Sequence, residues 1–562
     1  MNDSRLIGRR LFAFLLGLYV LTAAGYLAQG DEETMYRLTR NLARGAGLSV
    51  GRESLTLPPP AGPGFLPAQP LPLESTSAVP GRSGGLVSKY ALGQSLLGLP
   101  LFGLGALLDG LWPDWPQLGP RLAMAMLNPL ALAATGWLLF RFTVRLGYSP
   151  GAGLALALAF GLATMAWPYV NTFYPQPVTG FFLLLAAYAF QRCVQIFWKA
   201  QGGIGGTPPT PPRPPKTSDP PAFQRWQTGD RSRWGWGLGA ALGAAALVRP
   251  TALVVAPGLA LALWPAARSW PSRWRLAAQV GLPLALALGI GALYNWLRFG
   301  SPLDSGYYEV AWTTPPAAGL YGLLFSPGKG VFLYAPPLLL SLAALPLFFK
   351  RHRPLALLIA LWWAAYLAFY SPYNFWTGGF NWGPRFLLPL LAVSMLPGAA
   401  LLAERRLRGR RLLFALLFGL GLIIQLPAVV VDQARYLTGL RETGGARYYD
   451  DSIYLPALSP VWRQGPAALA TLRAYARREY RSAAAGVLRG MDLPSAGGAA
   501  NRQSAQRVLQ TEFLRLNLPA LWWLHLPLLG APVWLTAGLL LPWLGLLAWG
   551  GWGLIQFCSP SC

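Results

Sequence analysis

Cysteine, histidine and acidic residues are all scarce in this chain. Its 562 residues include three cysteines and two histidines. Cys193, Cys558 and Cys562 make neither a disulfide framework nor a metal-ligand spacing, and His352 and His525 are too few for a histidine-built metal site. Asp and Glu number 20 against 46 Lys and Arg, a net charge of +26. That sign raises nucleic acid as a partner. No helix-turn-helix, zinc-finger or stacking-platform pattern accompanies it, so nucleic-acid binding is set aside. Many basic residues sit instead in short clusters between apolar runs, the distribution that the positive-inside rule gives a membrane protein. Ser326-Pro327-Gly328-Lys329-Gly330 has a glycine-lysine pair but lacks the strand and helix context of a P-loop, and reads as an outer turn. Lys350-Arg351-His352-Arg353 reads as a solvated loop.

What the chain does have is apolar length. Leu11–Ala28, Leu122–Phe140, Val178–Trp198, Leu276–Leu297, Val331–Phe349, Leu355–Tyr370, Phe386–Ala403 and Leu412–Val431 are runs of the size a bilayer core of about 30 Å asks of a helix. A soluble protein would show amphipathic stripes instead. The expected fold is an all-α polytopic membrane protein. The first run follows Arg5, Arg9 and Arg10 and is longer than a signal-peptide core, so it is expected to remain as a helix with a cytoplasmic N-terminus.

Charge parity orders the crossings. Arg141/Arg145, the stretch Lys199–Arg233, Arg268/Arg273/Arg275, Lys350/Arg351/Arg353 and Arg405–Arg411 are cytoplasmic on this reading, and the uncharged connections Trp167–Pro177 and Ser371–Pro384 face outward. The alternation holds only if Ala91–Trp112 does not span. Gly93, Gly98, Pro100, Gly103 and Gly105 suggest a broken helix there. Gly235–Trp264 must cross twice, as a hairpin of short helices broken at Arg249-Pro250. Residues 1–431 form the membrane module, with an outer loop over 30–90 and a Pro-rich cytoplasmic linker over 199–234, expected to be disordered. Residues 432–516 form an extracytoplasmic segment in which Pro466–Arg489 reads as a basic amphipathic helix on lipid head groups, with Arg473, Arg477 and Arg481 on one face. Residues 517–562 hold one crossing plus a surface helix, or two crossings.

Gly30-Asp31-Glu32-Glu33 sits where the chain leaves the first helix. Three adjacent acids can simply begin a loop, or favour a helix N-terminus through its dipole. Asp31-Glu32, with Tyr36, Leu38 and Leu42 behind it, resembles the first outer loop of phospholipid-carrier-dependent glycosyltransferases of the GT-C fold, which include the family-39 protein O-mannosyltransferases and aminoarabinose transferases. Ser88-Lys89-Tyr90-Ala91-Leu92-Gly93-Gln94-Ser95-Leu96 resembles the segment that closes that loop. Leu247-Val248-Arg249-Pro250-Thr251 resembles the family's short-helix hairpin, and Trp382-Gly383-Pro384-Arg385-Phe386-Leu387-Leu388-Pro389 its late-helix motif. The likeness covers most of Arg10–Leu401 and stops before the tail after Val431. It implies a GT-C-like bundle of about 11–13 transmembrane helices with a large first outer loop.

The resemblance also implies an activity: transfer of a sugar from a polyprenyl-phosphate donor to an acceptor hydroxyl of unknown identity, at the outer face of the plasma (inner) membrane. Asp31 would be the general base, by match to the family's first-loop aspartate, and Glu32 a supporting or metal-binding neighbour. A phosphate leaving group is already a weak base, so one carboxylate suffices where an unactivated sugar ether needs two. Cations would bind the departing phosphate: Arg385 first, then Lys89, Arg249 and Arg298, each weighed against ordinary snorkelling to head groups. Gln176 stands in Tyr174-Pro175-Gln176-Pro177 where family members commonly carry an acid, which puts a divalent metal in doubt. The outer-loop aromatics, among them Tyr174, Tyr307, Tyr373 and Phe375, would form an interfacial belt or flank a sugar. A lipid-linked sugar flippase and a non-catalytic scaffold are the competing readings.

Overall fold

In a bilayer every backbone N–H and C=O must be satisfied within the chain, so apolar segments of spanning length fold as helices. The computed structural model follows that rule; it describes residues 2–27, 30–50, 77–111, 117–199, 221–264, 270–404, 409–444, 448–479, 514–529 and 531–558. The chain is an all-α polytopic membrane protein. Among the described residues eight helices are long and apolar enough to cross: Leu92–Leu111, Leu118–Arg145, Gln176–Gln195, Trp270–Phe299, Pro337–Tyr370, Arg385–Ala403, Arg410–Val430 and Val533–Phe557. Three shorter apolar helices, Pro150–Leu162, Pro250–Leu263 and Pro316–Phe325, accompany them.

In chain order, α1 (Asn2–Leu21) and α2 (Gly30–Ala43) precede a hairpin of β1 (Ala78–Pro80) and β2 (Leu86–Ser88). The hairpin pairs antiparallel with Val79 opposite Val87. There follow α3 (Leu92–Leu108), α4 (Leu118–Ala125), α5 (Leu127–Arg145), α6 (Pro150–Leu162), α7 (Gln176–Lys199), α8 (Pro221–Val248), α9 (Ala256–Leu263), α10 (Trp270–Phe299), α11 (Pro316–Phe325), the one-turn α12 (Val331–Tyr334) and α13 (Pro337–Tyr370). Then come α14 (Leu388–Ser394), α15 (Gly398–Ala403), α16 (Arg410–Val430), α17 (Gln433–Gly444), α18 (Tyr448–Tyr454) and α19 (Pro460–Ala476), before the C-terminal helix Val533–Cys558. α7 and the segment Arg385–Ala403 are the most enclosed of the crossing helices and form the centre.

Lipid tails are as apolar as leucine, so membrane helices associate through close packing, and small residues permit it. Gly17 of α1 faces the backbone of Trp543 and Leu547, and Gly550 faces Arg10 and Phe14. Trp522 and Trp523 donate their indole N–H groups to the carbonyls of Val20 and Leu21, each at 2.8 Å. α1 is thereby joined to the C-terminal helices.

Several expectations meet the structure here. α3, expected not to span and to be broken, is not broken: it runs unbroken through all five Gly and Pro positions, and Leu92–Leu111 is long and apolar enough to cross. Its glycines serve packing, since a Cβ on Gly93 would meet the backbone of Leu247 and Val248, and one on Gly105 the backbone of Gly119 and Pro120. Its main partners are α2 and α4. The α8–α9 hairpin does break at Arg249, which is extended (φ −152°, ψ 107°) and followed by a 3-10 turn over Pro250–Val255. α8 itself begins at Pro221, inside the stretch read as disordered linker; residues 200–220 lie outside the described residues. α13 kinks at His352 and so divides into the two runs read from sequence; that imidazole packs beside Tyr148 and Phe348. α19 starts at Pro460 and ends at Ala476. It buries Val461, Gln464, Ala468 and Thr471 and packs on α16 and α17, so it is held by protein on that face; Arg481 lies outside the described residues. After residue 517 the described chain has one crossing-length helix, preceded by the short helix Trp522–His525.

Candidate active site

α2 begins at Gly30, which puts Asp31, Glu32 and Glu33 in its first turn. The unsatisfied N–H groups there favour negative charge. At 3.6 residues per turn, successive side chains point about 100° apart. The three carboxylates therefore take three separate environments. Glu33 is buried and bound to Arg37 Nε (2.8 Å) and to Arg121 Nη1 (2.6 Å) and Nη2 (3.1 Å). Glu32 is buried too, and its Oε1 accepts the backbone N–H of Phe173 at 2.8 Å. Asp31 alone opens into the main cavity. Its Oδ1 accepts from Ser77 Oγ at 2.7 Å, and its Oδ2 lies 3.8 Å from Arg385 Nη1.

That cavity has an open volume of about 1590 Å³. Asp31, Lys89, Arg249 and Arg385 line it together, with Gln176, Tyr307 and Tyr373 among the remaining walls. Each arrives by a different route. The β-hairpin ends at Ser88 and delivers Lys89 and Tyr90. The break between α8 and α9 delivers Arg249, whose Nε donates to Thr251 Oγ1 (2.9 Å) and whose Nη2 lies 3.4 Å from the Tyr370 hydroxyl. The loop ahead of α14 delivers Arg385. Arg298 is elsewhere. It donates to the carbonyls of Ser88 and Tyr90 and to Asn295, so it supports the hairpin from behind and does not line the cavity.

Three cations in one cavity repel one another, and aromatic rings separate them. Phe386 has the Arg249 guanidinium 5.2 Å from its centroid and that of Arg385 at 5.1 Å. Arg385 also lies over Tyr174 (5.0 Å), and Lys89 over Tyr307 (5.6 Å). A ring face attracts a cation, so these contacts hold the charges without neutralising them. Burial raises Tyr174 and Tyr90 well above the ordinary phenol range and Tyr307 to about 12. All three hydroxyls therefore keep their protons at neutral pH and remain hydrogen-bond donors. Gln176 is buried, and its Oε1 has no hydrogen-bond donor among the described residues.

Behind Arg385 lies a residue read from sequence as a plain turn. Lys329 is buried, and its Nζ donates to the carbonyls of Gly379 (2.9 Å) and Asn381 (2.5 Å), with that of Gly383 at 3.5 Å. Burial and the nearby Arg385 lower its pKa to about 7. A second, smaller cavity of about 480 Å³ adjoins the first. It is lined by Glu32, Asn171, Tyr174, Asp432 and Arg515 among others, and Tyr174, Phe380 and Asn381 belong to both. Asp432 and Arg515 pair at 2.9 Å and share the wall of this cavity with Glu32.

The donor set does not fit a divalent cation. Among the described residues no three Asp, Glu, His or Cys side chains converge. Glu32 and Glu33 are turned to other partners, Gln176 is neutral, and Asp31 and Glu309 share their cavity with three cations. Oxygen-rich carboxylate sets are what Mg²⁺ and Ca²⁺ require.

No family model matches the chain, and no curated protein does. Solved structures that it resembles include ArnT from Cupriavidus metallidurans bound to undecaprenyl phosphate. The identity is 15%, over 90% of this chain and 75% of that one, with a TM-score of 0.39. They also include the oligosaccharyltransferase of Archaeoglobus fulgidus in its apo form, at 15% identity, 79% of this chain, 59% of that one and a TM-score of 0.40. Identity this low leaves the cavity's own chemistry to indicate its use.

Sequence reasoning left several residues of the cavity without a role. Ser77 lies within the outer loop with no motif to flag it. Tyr90 and Phe386 lie inside quoted motifs but carry no charge to single them out, and Tyr307 and Tyr373 appear only as members of an aromatic belt. Lys329 had a signal, a cation in a segment otherwise free of charge, but nothing local tells a solvated turn from a buried one.

Proposed function

We propose that the chain is a membrane glycosyltransferase that takes a sugar from a polyprenyl-phosphate donor. The observation that carries this reading is the meeting of Asp31 with Lys89, Arg249 and Arg385 in one cavity, where Asp31 is the carboxylate within 4 Å of a cation and Glu309 is a further acid of the wall. An acceptor hydroxyl attacks the anomeric carbon, Asp31 takes its proton, and the bond from that carbon to the phosphate oxygen breaks. The phosphate leaves with the electron pair, and the three cations stabilise its charge. No second carboxylate is needed, because this leaving group requires no proton. The tyrosine hydroxyls supply donors for sugar oxygens, and the rings supply faces for the sugar.

Charge parity supports a cavity open to the extracytoplasmic side, with the N-terminus in the cytoplasm. The acceptor is a hydroxyl compound. The test is mass spectrometry of surface glycans and lipids from cells lacking the protein and from cells carrying Asp31→Asn. A sugar missing in both supports the reading. Normal glycans with Asp31→Asn remove Asp31 from the role of base.

A further inference from the structure

The loop over residues 378–383 is irregular. Gly378, Gly379 and Gly383 all have positive φ (+71°, +77° and +66°), so neither helix nor sheet uses its carbonyls. Buried carbonyls need donors. Asn381 Nδ2 supplies one, to Gly378 O at 2.5 Å. The backbone N–H groups of Asn381 and Arg385 donate to Gly379 O and Gly383 O, the Tyr169 hydroxyl donates to Trp382 O, and the Lys329 ammonium reaches the carbonyls of Gly379, Asn381 and Gly383 together. An ammonium has three donors and no acceptor, which suits a ring of carbonyls. The loop lies directly on the Arg385 side chain: a Cβ at Gly378 would come within 2.8 Å of Arg385 Cγ and 2.9 Å of its Nε.

The turn that carries Lys329 is itself held. Ser326 Oγ accepts the Lys329 N–H at 3.1 Å, and the Tyr334 hydroxyl donates to Gly328 O at 2.8 Å. The outer segment grips it from the other side. Gly328 N–H donates to Ile453 O at 2.9 Å, and Ser459 Oγ to Pro327 O at 2.6 Å. A Cβ on Gly328 would collide with the Ser452 carbonyl oxygen.

We propose that Lys329, together with Asn381, is a positioning residue that fixes the 378–383 loop and so aims Arg385 at the bound phosphate, with the α18–α19 region bracing the turn behind it. Lys329 does not touch the donor: it is absent from the lining of the main cavity, and its ammonium is turned to the loop. Only the identity of the ligand rests on the function proposed above; the geometry of the loop does not.

The test uses the full chain in detergent. Phenylglyoxal modifies accessible guanidinium groups, and peptide mass spectrometry reads each arginine separately. Lys329→Met keeps the stem and removes the ammonium. The expected result is faster modification of Arg385, with Arg249 unchanged. Affinity for undecaprenyl phosphate should also fall about tenfold, the size of one misplaced charged donor. On an Arg385→Met background Lys329→Met should lower that affinity no further. Equal modification of Arg385 in both proteins overturns the proposal, as does an equal loss of affinity on the Arg385→Met background. If Lys329→Met does not fold, Asn381→Ala cuts the side-chain bond to Gly378 O, the residue packed on Arg385, and must unmask Arg385 in the same way; unchanged modification then overturns it. If the wild-type chain does not bind undecaprenyl phosphate, the functional reading fails, and modification of Arg385 alone decides the role of the loop.

Discussion

Asp31 and Arg385 approach to 3.8 Å across the cavity, one from the first turn of α2 and the other from the loop ahead of α14. On the proposed function, the arginine would hold the carboxylate and meet an arriving phosphate. A base and a phosphate site must adjoin if a proton is to leave the acceptor while the phosphate leaves the sugar.

Asp31→Asn should separate chemistry from binding. The amide is close in shape and can still accept from Ser77. Transfer of a labelled sugar should fall by about 10²- to 10⁴-fold, the contribution of a positioned general base. Binding of undecaprenyl phosphate should persist. Near-normal turnover would exclude Asp31 as the base.

The cations should not be equivalent. Arg249→Met and Arg385→Met each remove a charge that faces the cavity, and a charged hydrogen bond is worth about 1.5–3 kcal/mol, or roughly 10- to 100-fold in affinity. Arg298→Met should behave differently, because that guanidinium holds hairpin carbonyls. It should lower thermal stability and leave a smaller change in phosphate affinity, measured by titration in detergent. A loss at Arg298 equal to that at Arg385, in a protein that melts normally, would contradict this placement.

Glu33→Gln is a test of stability. Glu33 and Arg37 are 1% and 2% exposed, and Arg121 binds the same carboxylate. Breaking a buried pair by removing one partner costs about 3–5 kcal/mol, since the remaining charge is left uncompensated. Thermal unfolding in detergent should show a large fall in the midpoint. An unchanged midpoint would show that water reaches the cluster.

Acidity should act through Lys329. Below about pH 7 it carries its proton and all three donors; above that it loses one. Arg249 and Arg385 stay protonated throughout. A sugar-phosphate donor is a phosphodiester, without the second ionisation near pH 6 that a monoester shows. Donor affinity should therefore fall as pH rises from about 6 to 8, and Lys329→Met should flatten that profile. An identical slope in both proteins would assign the titration to another group.

Sidedness can be read without activity. A cysteine at Leu303, which is 91% exposed in the connection after α10, should react with an impermeant reagent from outside the cell. One at Gly409, in open space before α16, should not. The reverse pattern would invert the charge-parity order.

Legibility differed between body and site. The membrane body was readable because its signal is local: a run of apolar residues is a spanning helix wherever it packs. The break at Arg249-Pro250 was readable for the same reason, since proline disrupts a helix by its own geometry. The glycines of α3 misled because a glycine that kinks a helix and one that admits a neighbour's backbone are identical in sequence. Only Leu247 and Gly119 lying against Gly93 and Gly105 tell them apart.

The sequence by itself determined that the chain lives in a bilayer, which loops are basic, and that three adjacent acids follow the first apolar run. Tertiary structure decided which of those acids reaches the cavity, because a rotation of about 100° per residue sends neighbours to different partners. It also decided that Lys89, Arg249 and Arg385 converge while Arg298 does not, and that Lys329 is buried. Charge is a property of a residue, but convergence depends on how distant segments pack, and no local pattern of residues encodes that.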